Sequence, residues 1–140
     1  MYPFENTALE NFEGHFVDIR QFFHEHGFDE GGNWEYDHGF FDKKLADNPG
    51  YLFIRVPVMV KEGEFGDDEA LVRLGKPFLL RHKYQIGLDD YVDVDVLDSS
   101  INQFSEPQDS DASIETEEVE KSKKIIQKLE EQFKAHFSTT

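Results

Sequence analysis

With 140 residues, 14 of them phenylalanine, the chain is long and apolar enough to bury a core, which excludes a disordered protein and predicts one domain over residues 1–140. The absence of cysteine excludes a disulfide framework, a thiolate metal site and a cysteine nucleophile. The net charge of −16 repels nucleic acid and anionic membranes, so we expect neither as a partner. The first residues show no signal-peptide pattern and the apolar runs are too short for a membrane helix, so we expect a cytoplasmic protein.

The first predicted element is an amphipathic helix from about Asn11 to His26. Its apolar residues recur at spacings of one, three and four, as one face of a helix requires: Phe12, Phe16, Ile19, Phe22 and Phe23. Gly27 follows the last of them, at the position where a left-handed residue commonly ends a helix.

Four strands are predicted next, at residues 34–40, 51–61, 70–74 and 78–86, separated by turn-forming residues such as those at 47–50. In each strand the even-numbered residues form the apolar set: Trp34, Tyr36, His38 and Phe40; Leu52, Ile54, Val56, Val58 and Val60; Ala70, Val72 and Leu74; Phe78, Leu80, His82, Tyr84 and Ile86. The connections are too short for parallel crossovers, so the strands are predicted to form an antiparallel meander.

The last part of the chain begins with Tyr91–Leu97, a candidate fifth strand interleaved with aspartates. Residues 99–113 are polar and acidic, and predict a flexible loop or linker within the domain. A second amphipathic helix is predicted from about Glu115 to Phe137. The fold class is therefore α+β, with a four-stranded or five-stranded antiparallel sheet and the N-terminal and C-terminal helices packed on one face.

Alternation along the strands assigns the two faces of the predicted sheet. The even-numbered residues should face the helices, whereas the odd-numbered face combines basic and aromatic side chains: Tyr51, Phe53, Arg55, Arg73, Arg81 and Lys83. Arginine and aromatic residues are enriched in protein interfaces, so this face is predicted to bind a partner or ligand, or a second copy of the chain. The alternative is a face partly covered by a loop, with arginines stacked on aromatics. Segment 84–120 contains no basic residue, and it either folds back over this basic and aromatic face or is a free linker.

Several stretches resemble the YugN-like proteins of bacilli: Phe4–Glu10, Gly31–Asp37, Tyr51–Val56 and His82–Tyr84. The most specific of them is Gly-Gly-Asn-Trp-Glu-Tyr-Asp at residues 31–37. The resemblance covers roughly residues 4–88 and the last helix. It implies a small bacterial cytoplasmic protein of a family without an assigned activity, so it carries over no catalytic residue.

No catalytic motif is visible, and no residue pattern predicts a cofactor or a metal. His24 and His26 are two residues apart, whereas helical metal ligands are spaced by three or four. His38, His82 and Tyr84 lie on the predicted helix-facing side, where they indicate either ordinary core packing or a pocket between sheet and helices. The leading hypothesis is a noncatalytic interaction or regulatory module that self-associates through the basic and aromatic face. The alternative is a small-ligand-binding protein or enzyme with that pocket.

Overall fold

A computed structural model describes residues 1–31, 37–46, 51–64, 67–82 and 114–137. Its elements follow in chain order: β1 (Tyr2–Pro3), β2 (Glu13–His15), α1 (Phe16–Glu25), β3 (Asp29–Glu30), β4 (His38–Ala46), β5 (Tyr51–Glu62), β6 (Leu71–Leu74), β7 (Phe78–His82) and α2 (Thr116–His136). Within those residues, neither helix is long and apolar enough to cross a membrane. The candidate fifth strand and the segment 99–113 lie outside the described residues.

The strands form one antiparallel sheet of order β1-β7-β5-β4-β3, with β6 beside β5 and β2 beside β6. The predicted α+β class and antiparallel pairing are confirmed, but the predicted four or five strands are wrong, because the described residues alone form seven. Three of these strands, β1, β2 and β3, are two or three residues long. A period of two cannot be recognised over so few residues, so these strands escaped prediction.

The central strand β5 changes partner halfway along one edge. Its first part, Tyr51–Arg55, pairs with β7, and its last part, Val58–Glu62, pairs with β6. Pro57 lies at the junction, where its carbonyl accepts a hydrogen bond from the Gly75 N–H at 2.8 Å. The N–H and C=O of a strand residue point to the same edge, so the donor that proline lacks would lie in the gap between β6 and β7. A proline in the middle of the sheet therefore removes no ladder bond.

Helix α1 begins at Phe16 rather than near Asn11 as predicted, because the residues just before it pair with β6 as β2. Asn11 itself has a left-handed conformation, with φ of 71°, and its N–H donates to the Leu74 carbonyl. The predicted end is close to the observed one: the helix ends at Glu25, and Gly27 has φ of +86°. Helix α2 begins with a capping box, in which Glu115 and Glu118 each accept a backbone N–H of the other.

We call the face of the sheet that carries the buried residues of β5 the inner face, and the opposite one the outer face. The inner residues of β5 are Leu52, Ile54, Val56 and Val58. Phe41 of β4 stacks against Phe16 and Phe23 of α1, with centroids 6.3 and 4.8 Å away. Helix α2 joins the same core through Phe133, which meets Phe22 edge to face. The core is thus largely an aromatic layer between the inner face and the helices.

The register corrects the predicted assignment of faces in two strands. Opposite residues of an antiparallel pair share a face, and Phe41 pairs with Val56 while Arg81 pairs with Leu52. Phe41 and Arg81 therefore lie on the inner face, whereas the even-numbered residues of β7 and those of β4 as far as Lys44 lie on the outer face. The prediction that even-numbered residues face the helices is correct in β5 and β6 and wrong in β4 and β7. In a strand, a shift of one residue moves every side chain to the other face.

Candidate functional site

An ion pair between neighbouring strands lies at the centre of the outer face. Arg55 of β5 and Asp42 of β4 are directly opposite each other, and the Arg55 Nε–H and Nη2–H donate to the two Asp42 oxygens at 2.8 and 2.9 Å. Gly31 leaves room for that carboxylate, since a Cβ there would come within 2.6 Å of Asp42 Oδ2. The arrangement fixes the guanidinium in one orientation.

Aromatic rings surround this ion pair. The Arg55 guanidinium lies 4.7 Å from the centroid of the Phe40 ring, and the Lys44 amine lies 4.8 Å from that of Tyr51. Phe53 meets His82 edge to face at 5.4 Å. Cation–π contacts of this kind are attractive but modest. The structure therefore brings the predicted residues Tyr51, Phe53 and Arg55 together, and adds Phe40 from β4.

His82, from β7, lies beside this group rather than in a pocket under the helices. Burial lowers the pKa of its imidazole, the positive charge of Arg55 lowers that pKa further, and Asp42 acts in the opposite direction. The net effect favours the neutral imidazole. His82 can accept or donate a hydrogen bond in that form without adding charge to the face.

Met59 of β5 lies on a separate part of the outer face, between β4 and β6. Met59 is 54% exposed, so it belongs to the surface and not to the core. Arg73 of β6 and His38 of β4 are its direct neighbours across the strands. Arg73 forms an ion pair with Glu13 of β2 at 2.8 Å. Arg55 and Arg73 thus share the outer face but lie at separate positions along it.

Arg81 does not belong to the outer face, contrary to the predicted odd-numbered set. Its side chain is 5% exposed on the inner face and forms an ion pair with Glu118 of α2. That hydrogen bond to Arg81 lowers the pKa of the Glu118 carboxyl. Arg81 therefore connects the sheet to the first turns of α2. Lys83, the other predicted basic residue, lies outside the described residues.

The predicted pocket residues are not brought together. His38 is opposite Met59 and His82 is opposite Tyr51, at the two ends of β5, and both lie on the outer face. Tyr84 lies outside the described part of the chain. Over the residues with described positions, no group of three or more His, Asp or Glu side chains could hold a metal ion.

A cleft does lie between the sheet and the helices, but other residues form it. Its volume is about 480 Å³, and we call it the helix cleft. The end of α1, one lysine of β4 and one side of α2 line it: Glu25, His26, Gly27, Phe28, Lys43, Ile125, Lys128, Leu129 and Gln132. Sequence reasoning missed these residues, because they meet only when α2 packs beside the end of α1.

Comparisons with known proteins give a consistent result. The model of the YugN-like family matches residues 5–133. The chain is 42% identical over 100 residues to the "Uncharacterized protein YugN" of Bacillus subtilis (strain 168), covering 71% of this chain and 75% of that protein. It is 26% identical over 89 residues to the "Uncharacterized protein YlbA" of the same organism, covering 64% of this chain and 74% of that protein.

A solved structure is also similar. It is the crystal structure of the uncharacterized conserved protein YugN from Geobacillus kaustophilus HTA426, with a TM-score of 0.67 and 22% identity. The match covers 96% of this chain and 99% of that chain. At this level of identity the likeness establishes a shared fold.

Proposed function

The chain belongs to the YugN-like family, and from that premise we propose that it is a noncatalytic, cytoplasmic interaction module that self-associates through its outer face. The partner in this proposal is a second copy of the chain. Nucleic acid and membranes do not fit, because both require a positive surface.

The balance of charge on the outer face is the observation that carries this proposal. Its cations Lys44, Arg55 and Arg73 are matched by the acids Glu13, Asp29 and Asp42, which the register places on the same face. The whole chain, in contrast, has 30 acids and 14 bases. Two copies therefore repel each other least when they approach through this face.

The same face offers the contacts that a two-fold interface needs. An isologous interface must be complementary to itself, and a surface carrying both signs of charge meets that condition. The exposed side chain of Met59 supplies an apolar contact, and Phe40 and Phe53 supply aromatic area. The ion pairs hold the arginines in place before association, which lowers the entropy lost on binding.

The edges of the sheet support association through a face rather than through added strands. Among the strands of the described residues, the outermost ones β1 and β3 have two residues each, and β2 has three. Short edge strands present few unpaired N–H and C=O groups, so they are poor templates for pairing with another sheet.

Sedimentation velocity and native mass spectrometry over a range of protein concentrations test the proposal. We expect a dimer without added mass, and stronger association at higher salt, because salt screens the repulsion between two copies of charge −16. Met59→Glu should weaken the dimer by about tenfold or more, since it replaces the apolar contact with a carboxylate that must lose its water on association. Gln127→Glu is the matched control, because it adds the same charge at an exposed position of α2.

Two results would contradict the proposal. The first is a wild-type protein that stays monomeric at all concentrations and salt levels. The second is a Met59→Glu dimer as stable as the wild-type dimer, which would place the interface elsewhere on the protein.

A further inference from the structure

Lys43 is a half-buried cation on the inner face, at the back of the helix cleft. Its register partner is Ile54, so its side chain enters the layer between sheet and helices. The Nζ donates one hydrogen bond, at 3.0 Å, to the carbonyl of His26, just after the end of α1. It also lies 5.8 Å from the centroid of the Phe28 ring.

Lys43 differs from the arginines of the sheet in having no carboxylate partner among the described residues. Arg55, Arg73 and Arg81 each form an ion pair with a carboxylate. Among the described residues, no carboxylate forms an ion pair with Lys43. An ammonium group has three donors, and withdrawing it from water without an anion is unfavourable. None of the acidic residues that the structure describes supplies that anion.

The helix cleft has the size and lining of a site for a small molecule. Its volume of about 480 Å³ lies within the range of small-ligand sites. Phe28, Ile125 and Leu129 give it apolar walls, and Lys128 adds a second cation from α2. The side-chain amide of Gln132 contacts His26 across the cleft, which ties the two helices together. Gly27, with no Cβ, keeps the approach to the Lys43 amine open.

The charges around the cleft select the class of anion. The C-terminal end of α1 carries a partial negative charge, and Glu25 adds a full one at the same end. A dianion such as phosphate would be repelled by both, whereas a single carboxylate reaches Lys43 and Lys128 with less repulsion. The apolar walls favour a compact hydrocarbon body attached to that carboxylate.

We propose that the helix cleft binds a small monocarboxylate with a compact aromatic or branched apolar body, with Lys43 as its main anchor and Lys128 as a second cation. The site lies on the opposite side of the sheet from the outer face. It is therefore independent of the proposed self-association, and either proposal can fail without the other.

Nuclear magnetic resonance titration of the full chain with benzoate, and with a series of aryl and branched-chain carboxylates, tests this site. We expect saturable shifts of the Gly27 amide and of the Gln132 side-chain amide. Benzamide, a neutral molecule of similar shape, should not produce them, and inorganic phosphate should bind more weakly than benzoate. The result that no carboxylate shifts either signal would overturn the proposal, and so would equal binding of benzamide.

Variants separate the role of Lys43 in binding from its role in the fold. Lys43→Met should weaken benzoate binding by about tenfold, the effect of losing a charge-assisted hydrogen bond. Lys128→Gln leaves the hydrogen bond to His26 intact and should weaken binding by about threefold, as expected for an exposed charge. Lys124→Gln, an exposed lysine of α2 outside the cleft, is the control and should have no effect. Unchanged affinity in both Lys43→Met and Lys128→Gln would refute the site.

Discussion

Replacing Asp42 with asparagine removes the negative charge opposite Arg55 and nearly preserves the size of the side chain. The guanidinium of Arg55 donates to both carboxylate oxygens, and the Arg55 and Asp42 side chains are 20% and 11% exposed. An amide offers only one acceptor oxygen. Asp42→Asn therefore leaves one Arg55 donor without this acceptor and removes the electrostatic attraction between the strands.

The expected loss of stability follows from the geometry. A hydrogen bond to a charged group contributes about 1.5–3 kcal/mol, and breaking a fully buried ion pair costs about 3–5 kcal/mol. Both side chains keep some contact with water, which compensates part of the loss, so we expect Asp42→Asn to cost about 2 kcal/mol. Arg55→Met removes the other charge. The double variant should cost about 1–2 kcal/mol less than the sum of the single variants, because it leaves no charge without its partner.

Urea denaturation of the wild type, the two single variants and the double variant measures this coupling. With a slope of about 1–3 kcal/mol per molar urea, Asp42→Asn should lower the midpoint by about 1 M. Asp29→Asn is the matched control, because Asp29 is exposed and lies directly opposite Asp42 in β3. If the single effects are additive, or if Asp42→Asn changes stability no more than Asp29→Asn, the ion pair does not stabilise the sheet and the reasoning is refuted.

Two further predictions concern the inner and outer faces. Gly27→Ala should cost about 1–2 kcal/mol, because φ is +86° and the new Cβ would lie 3.4 Å from Lys43 Nζ; an unchanged urea midpoint would contradict this. The lowered pKa of His82 means that its contribution to stability is complete above the ordinary histidine pKa of 6.5 and is lost as the pH falls below it, towards the folded-state pKa. His82→Gln should therefore reduce the fall in unfolding free energy over that window, and an equal fall in both proteins would count against the assignment.

Some of the fold could be predicted because the local pattern is unambiguous. In β5, apolar residues alternate without interruption from Leu52 to Val58, so the inner face follows directly. In β7 two adjacent leucines, Leu79 and Leu80, satisfy either face, and the charge of Arg81 suggested that it points outward. The inward orientation of the Arg81 side chain is decided instead by its hydrogen bond to Glu118. Glu118 is 37 residues away in the chain, so it contributes no local signal.

Prediction of the candidate sites is limited in the same way, because contacts between residues far apart in the chain decide which side chains face the core. Nothing in the consecutive pair Lys43 and Lys44 tells which amine enters the core, since the register with Ile54 and Phe53 decides it. Phe40 and Phe41 pose the same problem, and Phe41 is the inner one because it stacks on the rings of α1. Arg55, Tyr51 and Phe53 could be predicted because they lie on the one strand with a clear alternation.

The pairing of β1 with β7 and of β2 with β6 has a consequence for synthesis on the ribosome. The N-terminal strands and α1 emerge first, but β2 pairs with residues 71–73 and β1 with residues 78 and 79. Phe16 and Phe23 of α1 likewise stack on Phe41, which is translated after them. The nascent chain therefore exposes a phenylalanine-rich segment while its partners are still being made, and this is the stage at which we expect it to depend on a chaperone.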